Sequence, residues 1–367
     1  MGHAPLPNFA AQYSALERIS AITRHKLRKL LKYALVTAAI GAVLTLLSGH
    51  GGLRFLLGWV LLGTWTGILE EFLFGRRFRS LAIPLQFLGK ALAVNLFTIA
   101  LLAATLAANR GHTLPFTGDA GLTVGHLLAS GEIFRFALLV VVVTSVSILV
   151  IQVEEFMGRR FFMGFLLGWY DKPREAERVV LSIDLVGSSA LNERLGDLLY
   201  YRFLNTTLSL MTDSVLRHDA EIHKYVGDEV IFTWTMRDGT HNFNCLGLFF
   251  DIKERLEAHR QIMMREFGVA PEFRGGLHGG RVITAQVGHI KRAIDLSGDV
   301  MNTTSRLQSL AKELKADLMI TQELRDRMPD ADKRFTFGDL ELLRVKGGKR
   351  QMGVRTVARK VVAATLQ

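Results

Sequence analysis

The chain has 367 residues, 49% of them hydrophobic, a net charge of +11 and a single cysteine, Cys245. That length allows two or three domains, and one cysteine excludes both an internal disulfide and a cysteine-based metal cluster, which fits a reducing compartment. Residues 1–170 carry 15 Lys/Arg against 7 Asp/Glu, whereas residues 171–367 carry 30 against 27; the basic excess therefore lies in the apolar half, as suits an anionic membrane face and not nucleic acid.

Residues 1–30 read as a cytoplasmic N-terminal segment. Four stretches then approach the roughly 20 apolar residues that cross a bilayer: Leu31–Ser48, Leu53–Leu69, Ile83–Ala107 and Ile133–Val153. Together they predict a four-helix transmembrane anchor over residues 31–153. The first begins too far along the chain for a typical cleaved signal peptide. Lys26, Arg28, Lys29 and Lys32 precede it, Arg76, Arg77 and Arg79 follow the second, and Arg159 and Arg160 follow the fourth. The opposite side carries only Arg54, Arg110 and Arg135. The positive-inside rule thus puts the N-terminus and everything after the fourth span in the cytoplasm, as a multi-pass protein of the inner membrane.

The second span ends in Glu70-Glu71-Phe72 and the fourth in Glu154-Glu155-Phe156, each followed by an Arg-Arg-Phe. This weak repeat suggests two helical hairpins of similar design, whose acids and arginines pair locally. Lys90 lies close enough to the cytoplasmic end of the third span to snorkel, and Asn95 is placed to bond a neighbouring helix. No span interior holds a histidine, which argues against a bis-histidine haem.

Residues 154–177 read as a connector. Phe161, Phe162, Phe165, Leu166, Leu167, Trp169 and Tyr170 crowd a run too short to span, interrupted by Gly164 and Gly168. An interfacial or dimerising helix ended by Pro173 fits that composition.

From residue 178 to 367 the pattern alternates strand and helix. Arg178–Asp184 predicts a buried strand and Ala190–Arg217 a helix capped by Ser188 and Ser189. Glu221–Tyr225 and Glu229–Thr235 predict a hairpin, His241–Phe267 a second helix, and Phe273–Ile283 a strand. Val300–Leu314 predicts a third helix; Asp317–Ile320, Arg334–Val345 and Gln351–Val357 complete the sheet. That order predicts an α+β domain with a ferredoxin-like βαββαβ centre.

Asp184 ends one strand and Asp228 sits at a hairpin tip. Carboxylates on adjacent strand ends can grip two divalent ions, and the small residues Gly187, Ser188 and Ser189 open a helix whose free N–H groups suit phosphates. This is equipment for phosphoryl transfer.

Three stretches carry a family resemblance: Ser182-Ile183-Asp184-Leu185-Val186-Gly187-Ser188-Ser189, Lys224-Tyr225-Val226-Gly227-Asp228, and Asp295-Leu296-Ser297-Gly298-Asp299-Val300-Met301-Asn302-Thr303-Thr304-Ser305-Arg306. With them, residues 178–357 resemble the catalytic domain of class III adenylyl and guanylyl cyclases, and the N-terminal half is similar, more weakly, to multi-span anchors of bacterial members. The resemblance implies that Asp184, Asp228 and the Leu185 carbonyl bind two Mg²⁺ or Mn²⁺ per active site. It implies that Lys224 and Asp295 read the purine, Asn302 positions the ribose, Arg306 stabilises the pentavalent phosphorus, and Lys346 holds the terminal phosphates. It further implies a homodimer with two shared sites that makes cyclic AMP from ATP.

Elementary chemistry points the same way. A lysine donor beside a carboxylate acceptor complements adenine, whose N1 accepts and whose amino group donates; guanine presents the reverse edge. Asn302 and Arg306, at i and i+4, share a helix face. A guanylyl cyclase, or a receptor or scaffold with a silent cyclase-like domain, is the alternative; the filled metal, base and arginine positions argue against silence. His223 and His278 lie in strand patterns, which favours packing or hydrogen bonding for both.

Overall fold

The computed structural model describes residues 9–48, 53–72, 83–108, 132–170, 172–290, 293–344 and 351–360. The chain divides into two compact units, Met1–Phe162 and Met163–Gln367.

The N-terminal unit is helical: α1 (Phe9–Ser48), α2 (Leu53–Phe72), α3 (Ile83–Ala108) and α4 (Glu132–Met157), with α5 (Arg159–Leu166) running across the unit boundary. Helix α1 begins well before the apolar run that predicted it and has 40 residues. Among the described residues one stretch, Leu138–Met157 with a mean hydropathy of 2.1, is long and apolar enough to cross a membrane; Leu56–Glu70 is apolar but shorter.

Close packing of α1 against α2 depends on small residues. A side chain at Gly63 would meet Thr37 Oγ1 at 1.9 Å and the Tyr33 carbonyl oxygen at 2.5 Å, so only glycine lets the backbones approach. The Thr37 hydroxyl also donates to the Trp59 carbonyl across that contact, at 2.9 Å.

Several polar residues of the helices turn inward, Thr37, Glu70, Lys90 and Asn95 among them. Lys90 is buried and pairs with Glu70 of α2 instead of snorkelling, because the neighbouring helix supplies a carboxylate. Asn95 donates to the Ala91 carbonyl of its own helix at 2.7 Å, satisfying its amide without a neighbour. The acids at the end of α4 reach across to α1: Glu154 meets Lys32, and Glu155 meets Lys29 at 2.6 Å. Acid pairing at this end thus includes contacts between helices; the side chains of Arg159 and Arg160, expected to pair locally, lie outside what is described. Leu85, Leu88, Leu92, Leu96 and Ile99 form an exposed apolar stripe along α3 at helical spacing. Arg76, Arg77, Arg79 and Arg110 lie outside the described residues.

The C-terminal unit opens with the connector. The Trp169 N–H donates to the Gly164 carbonyl at 2.8 Å, and the turn leaves Phe165, Leu166, Leu167 and Trp169 exposed. Strand β1 runs over Arg174–Leu185, starting four residues earlier than expected. Helices α6 (Ser188–Leu195) and α7 (Asp197–Arg217) replace one predicted helix. Gly196 separates them at φ 75°, ψ 155°, a conformation outside the helical region that glycine adopts without strain. Strands β2 (Glu221–Val226) and β3 (Glu229–Thr235) form the expected hairpin. The next predicted helix is broken too, into α8 (Asn244–Ala258) and α9 (Arg260–Phe267), after a 3₁₀ turn at His241–Phe243. Then come β4 (Phe273–Val287), β5 (Ala293–Ser297), α10 (Asp299–Glu313), β6 (Leu318–Thr321), β7 (Phe335–Phe337), β8 (Glu341–Arg344) and β9 (Gln351–Arg359).

These strands make one mixed sheet in the order β2-β3-β1-β4-β6-β9-β7, with β5 paired to β4 and β8 to β9. The β4-β1-β3-β2 centre, with helical connections after β1 and after β3, is the expected βαββαβ unit. All its pairs are antiparallel except β4 with β6.

Alternation along β1 divides the interior. Val179, Leu181, Ile183 and Leu185 join Phe232, Trp234, Leu246, Phe249 and Phe203 in the main core. Val180 faces the other way, into a smaller cluster with Ile231, Val282, Leu296 and Val300. Asp184 shares the parity of Val180, so it looks toward the side on which α10 lies. Cys245 is fully buried in the main core, and burial pushes its thiol up to about 12, leaving it unreactive.

Candidate active site

Two groups of expected residues are assembled on this unit. The first is built at strand ends. Asp184 is the penultimate residue of β1, and Asp228 occupies the two-residue tip between Val226 and Glu229, which face each other across the hairpin. Since β1 and β3 are paired neighbours, the end of one lies beside the tip of the other. The two carboxyls lie close enough to shift each other's titration.

Burial disfavours charge on both. Lys312 and the neighbouring Asp228 outweigh it at Asp184, which is held below its ordinary value. Burial and the adjacent Asp184 push Asp228 above its own. The Asp228 Oδ2 atom is buried with no hydrogen-bond partner. A pair of facing carboxyls with an oxygen left over is a donor set that fits a hard divalent cation, and the Leu185 main chain is adjacent. Among the described residues there is no cluster of three or more His, Cys, Asp or Glu side chains of metal-binding arrangement, so any further ligands would be carbonyls, water or substrate.

Gly187, at φ 70°, precedes α6 and starts it without a side-chain cap. The N–H groups at this helix start are therefore uncommitted to a capping side chain. The Ser188 hydroxyl lies near both Asp228 and Tyr200 and favours the charged form of each.

The second group is the pair expected to read the base. Lys224 Nζ lies 2.9 Å from Asp295 Oδ1. Burial works against the charge on Asp295, but Lys224 and His223 together hold its carboxyl below the usual range. Both residues are half-exposed, as a ligand-reading pair must be.

Asn302 and Arg306 stand one turn apart on α10. Asn302 is exposed. Arg306 is half-buried, and its Nη1 is sequestered without a hydrogen-bond partner, a guanidinium edge with capacity in reserve. Lys346 lies outside the described residues.

Sequence reasoning missed several contacts here. Lys312 ion-pairs with Asp184, and Gln308 also reaches that carboxyl from α10. They lie at i and i+4 on α10 but turn to a different face from Asn302 and Arg306, so the spacing of that motif did not flag them. Tyr200, against Ser188, had no signal either. His223 Nε2 lies 3.2 Å from Asp295 Oδ1. His278 is a buried structural histidine, 2.8 Å from the Thr321 hydroxyl, as its strand pattern suggested.

Residues 171–357, just over half of the chain, match the family described as the adenylate and guanylate cyclase catalytic domain. The chain is 39% identical over 181 residues to "Adenylate cyclase 2" of Rhizobium meliloti (strain 1021), a match spanning 49% of this chain and 50% of that protein. It is 25% identical over 148 residues to "Adenylate cyclase" of Anabaena cylindrica, covering 40% of this chain and 29% of that one. The chain thus spans half or less of the length of these relatives. Among solved structures, a bacterial light-regulated adenylyl cyclase aligns at 21% identity and a TM-score of 0.49, over 66% of this chain and 67% of that one.

Proposed function

From the premise that the chain belongs to the adenylate and guanylate cyclase catalytic domain family, we propose that it is a membrane-anchored adenylyl cyclase. It converts ATP to cyclic AMP and pyrophosphate at sites shared by two copies of the chain. The observation that carries the choice of ATP is the Lys224–Asp295 pair, 2.9 Å apart. A cationic donor beside an anionic acceptor matches the N1 acceptor and amino donor of adenine, and opposes guanine at both positions.

Asp184, Asp228 and the Leu185 carbonyl would hold two Mg²⁺ or Mn²⁺, which when bound supply charge that activates the ribose 3′-oxygen and eases departure of pyrophosphate. The protein's own groups do the rest. Backbone N–H groups around Gly187 and Ser188 receive phosphate oxygens at the start of α6. Lys346 adds a cation for the terminal phosphates. Asn302 orients the ribose so that its 3′-oxygen lies in line with the α-phosphorus. Arg306 offers the free edge of its guanidinium to the charge that grows on that phosphorus in the transition state.

The shared site is what the family resemblance implies: the metal-binding carboxyls of one catalytic domain face the base-reading set of another, and the chain carries one such domain. The N-terminal unit is the anchor: four spans over residues 31–153, a connector over 154–177 at the membrane surface, and the catalytic domain over 178–367 in the cytoplasm. Inward polar groups and an outward leucine stripe on α3 support lipid contact for helices beyond Leu138–Met157.

The test is product formation by the full-length protein, purified in detergent and supplied with Mg²⁺ or Mn²⁺ and with ATP or GTP. Cyclic AMP, with ATP turned over much faster than GTP, is expected. Absence of any cyclic nucleotide, or a GTP rate equal to the ATP rate, contradicts the proposal.

A further inference from the structure

Two consecutive residues of a regular strand point to opposite faces of a sheet. His223 and Lys224 nonetheless converge on one atom, Asp295 Oδ1, at 3.2 Å and 2.9 Å. The register explains how. Ile222 pairs with Phe232 and Lys224 with Ile231, so His223 is an extra residue in β2. A bulge of this kind re-aims side chains, here turning both neighbours toward β5.

The chemistry of the contact is constrained. Asp295 is held ionised and can only accept, so the His223 nitrogen facing it carries the proton. The ring is almost completely buried, its side chain 2% exposed, whereas Lys224 is 41% exposed. Lys224 Nζ on β2, Asp295 on β5 and Arg178 on β1 are the charged groups facing the ring. Burial, seconded by Lys224 and Arg178, outweighs Asp295 and keeps the imidazole below its ordinary range, so it is a neutral donor at pH 7. The two donors therefore differ in kind. One is a long, half-exposed chain that a nucleotide can recruit; the other is a rigid ring locked in the sheet.

We propose that His223 is a positioning residue for purine recognition: it pins one oxygen of Asp295, so that the carboxylate stays aimed at the base when Lys224 leaves it for the substrate. This rests on the reading of Lys224 and Asp295 as the base-reading pair. When Lys224 turns to adenine N1, Asp295 loses one of its two partners on Oδ1. The His223 N–H remains and prevents the side chain from rotating away, leaving the other oxygen to accept from the 6-amino group. A carboxylate held in advance loses less freedom on binding than a loose one.

The experiment follows pyrophosphate release by the full-length protein with ATP and with purine riboside triphosphate, which lacks the 6-amino group. The quantity read is the ratio of the two kcat/KM values. His223→Phe keeps the ring shape and removes the donor. It is expected to lower the ratio by about tenfold, mostly through KM for ATP, because an amino group meeting a misdirected acceptor is discriminated less. His223→Gln restores an N–H and is expected to recover most of the ratio. Asp295→Ala abolishes the preference, and in that background His223→Phe changes it no further.

A ratio unchanged within about twofold in His223→Phe overturns the proposal. So does an equal loss with and without Asp295, which would mark His223 as merely structural. If His223→Phe does not fold, His223→Leu takes its place; a folded variant with lower kcat but an intact ratio also counts against the idea. If Asp295→Ala itself leaves the preference intact, the base-reading assignment fails first and the inference falls with it.

Discussion

In the N-terminal unit the buried positions include Thr37, Glu70, Lys90, Asn95 and Ser147, while Leu88, Leu92 and Leu96 face outward. In the C-terminal unit Val179, Leu181, Phe232 and Trp234 are sealed inside, and charged groups such as Lys224 and Asp295 stand at the surface. Both units bury apolar side chains, Tyr33, Trp59 and Val143 among them in the helical unit, so the contrast lies in the leucine stripe that the helical unit turns outward. Water drives apolar groups inward in the C-terminal unit. Where lipid is the solvent, apolar groups gain nothing by hiding, and polar groups must find one another. On the proposed reading of the helical unit as a membrane anchor, this accounts for charge pairs that run between helices, Lys90 with Glu70 and Lys32 with Glu154, and for the placement of the proposed nucleotide site in the other unit. A phosphate site needs exposed N–H groups and reachable cations.

The sharpest way to break this comparison is to make the same kind of substitution in both units. Phe232→Ala empties a site in the main core and is expected to cost about 3–5 kcal/mol. Leu92→Ala, on the outward stripe of α3, is expected to cost no more than about 0.5 kcal/mol in detergent or lipid. Thermal unfolding of the two variants checks this; equal losses would place Leu92 in a packed interface instead of lipid.

Next in size is the buried pair Glu70–Lys90. Glu70→Ala strands an ammonium inside the helices and is expected to cost about 3 kcal/mol. The double change Glu70→Leu/Lys90→Leu is expected to recover most of that loss, since it removes both charges together. Detergent-resistance or thermal aggregation assays would show it. A double variant as unstable as the single one would mean that the two helices need the polar contact itself.

The smallest effect concerns acid. Asp251 on α8 lies 2.7 Å from Arg217 and 3.6 Å from His218. Burial opposes its charge, but His218 and Arg217 outweigh burial and hold it below the ordinary carboxylate value. A depressed folded value means that stabilisation is complete above the unfolded pKa of about 3.9 and disappears as pH falls through the folded one. Asp251→Asn is therefore expected to cost about 1 kcal/mol at pH 7 and to flatten the acid limb of the stability curve below about pH 4. An unchanged slope in that window would remove Asp251 from the account.

The sequence made some of this legible and hid the rest for physical reasons. The carboxyl pair was readable because each half is local: a strand ending in Asp184 before a glycine turn, and a hairpin tip at Gly227-Asp228. Asn302 and Arg306 were named by the family resemblance, and helical spacing added only that they share a face of α10. The break at Gly196 was not, since glycine occurs within helices as well as between them, and its φ is set by packing. Strand β5 is five residues long, too short for its alternation to stand out. Lys90 paired with Glu70 because a second helix lay alongside it, which no local pattern records. His223 was hidden for the opposite reason: alternation predicts that it points away from Lys224, and only the bulge turns it back.

Mixed dimers test whether the catalytic site is completed by two copies of the chain. Asp184→Ala removes a metal-binding carboxyl from both sites of its homodimer, and Arg306→Ala removes the transition-state cation, a loss worth about 10²- to 10³-fold in rate. Each variant alone is expected to be close to inactive. Co-expressed, they form dimers in which one site carries both defects and the other carries neither. With random pairing, cyclic AMP production should return to about one quarter of the wild-type level. No recovery, in membranes where mixed dimers are demonstrated, would contradict a shared site and place a complete one within one chain.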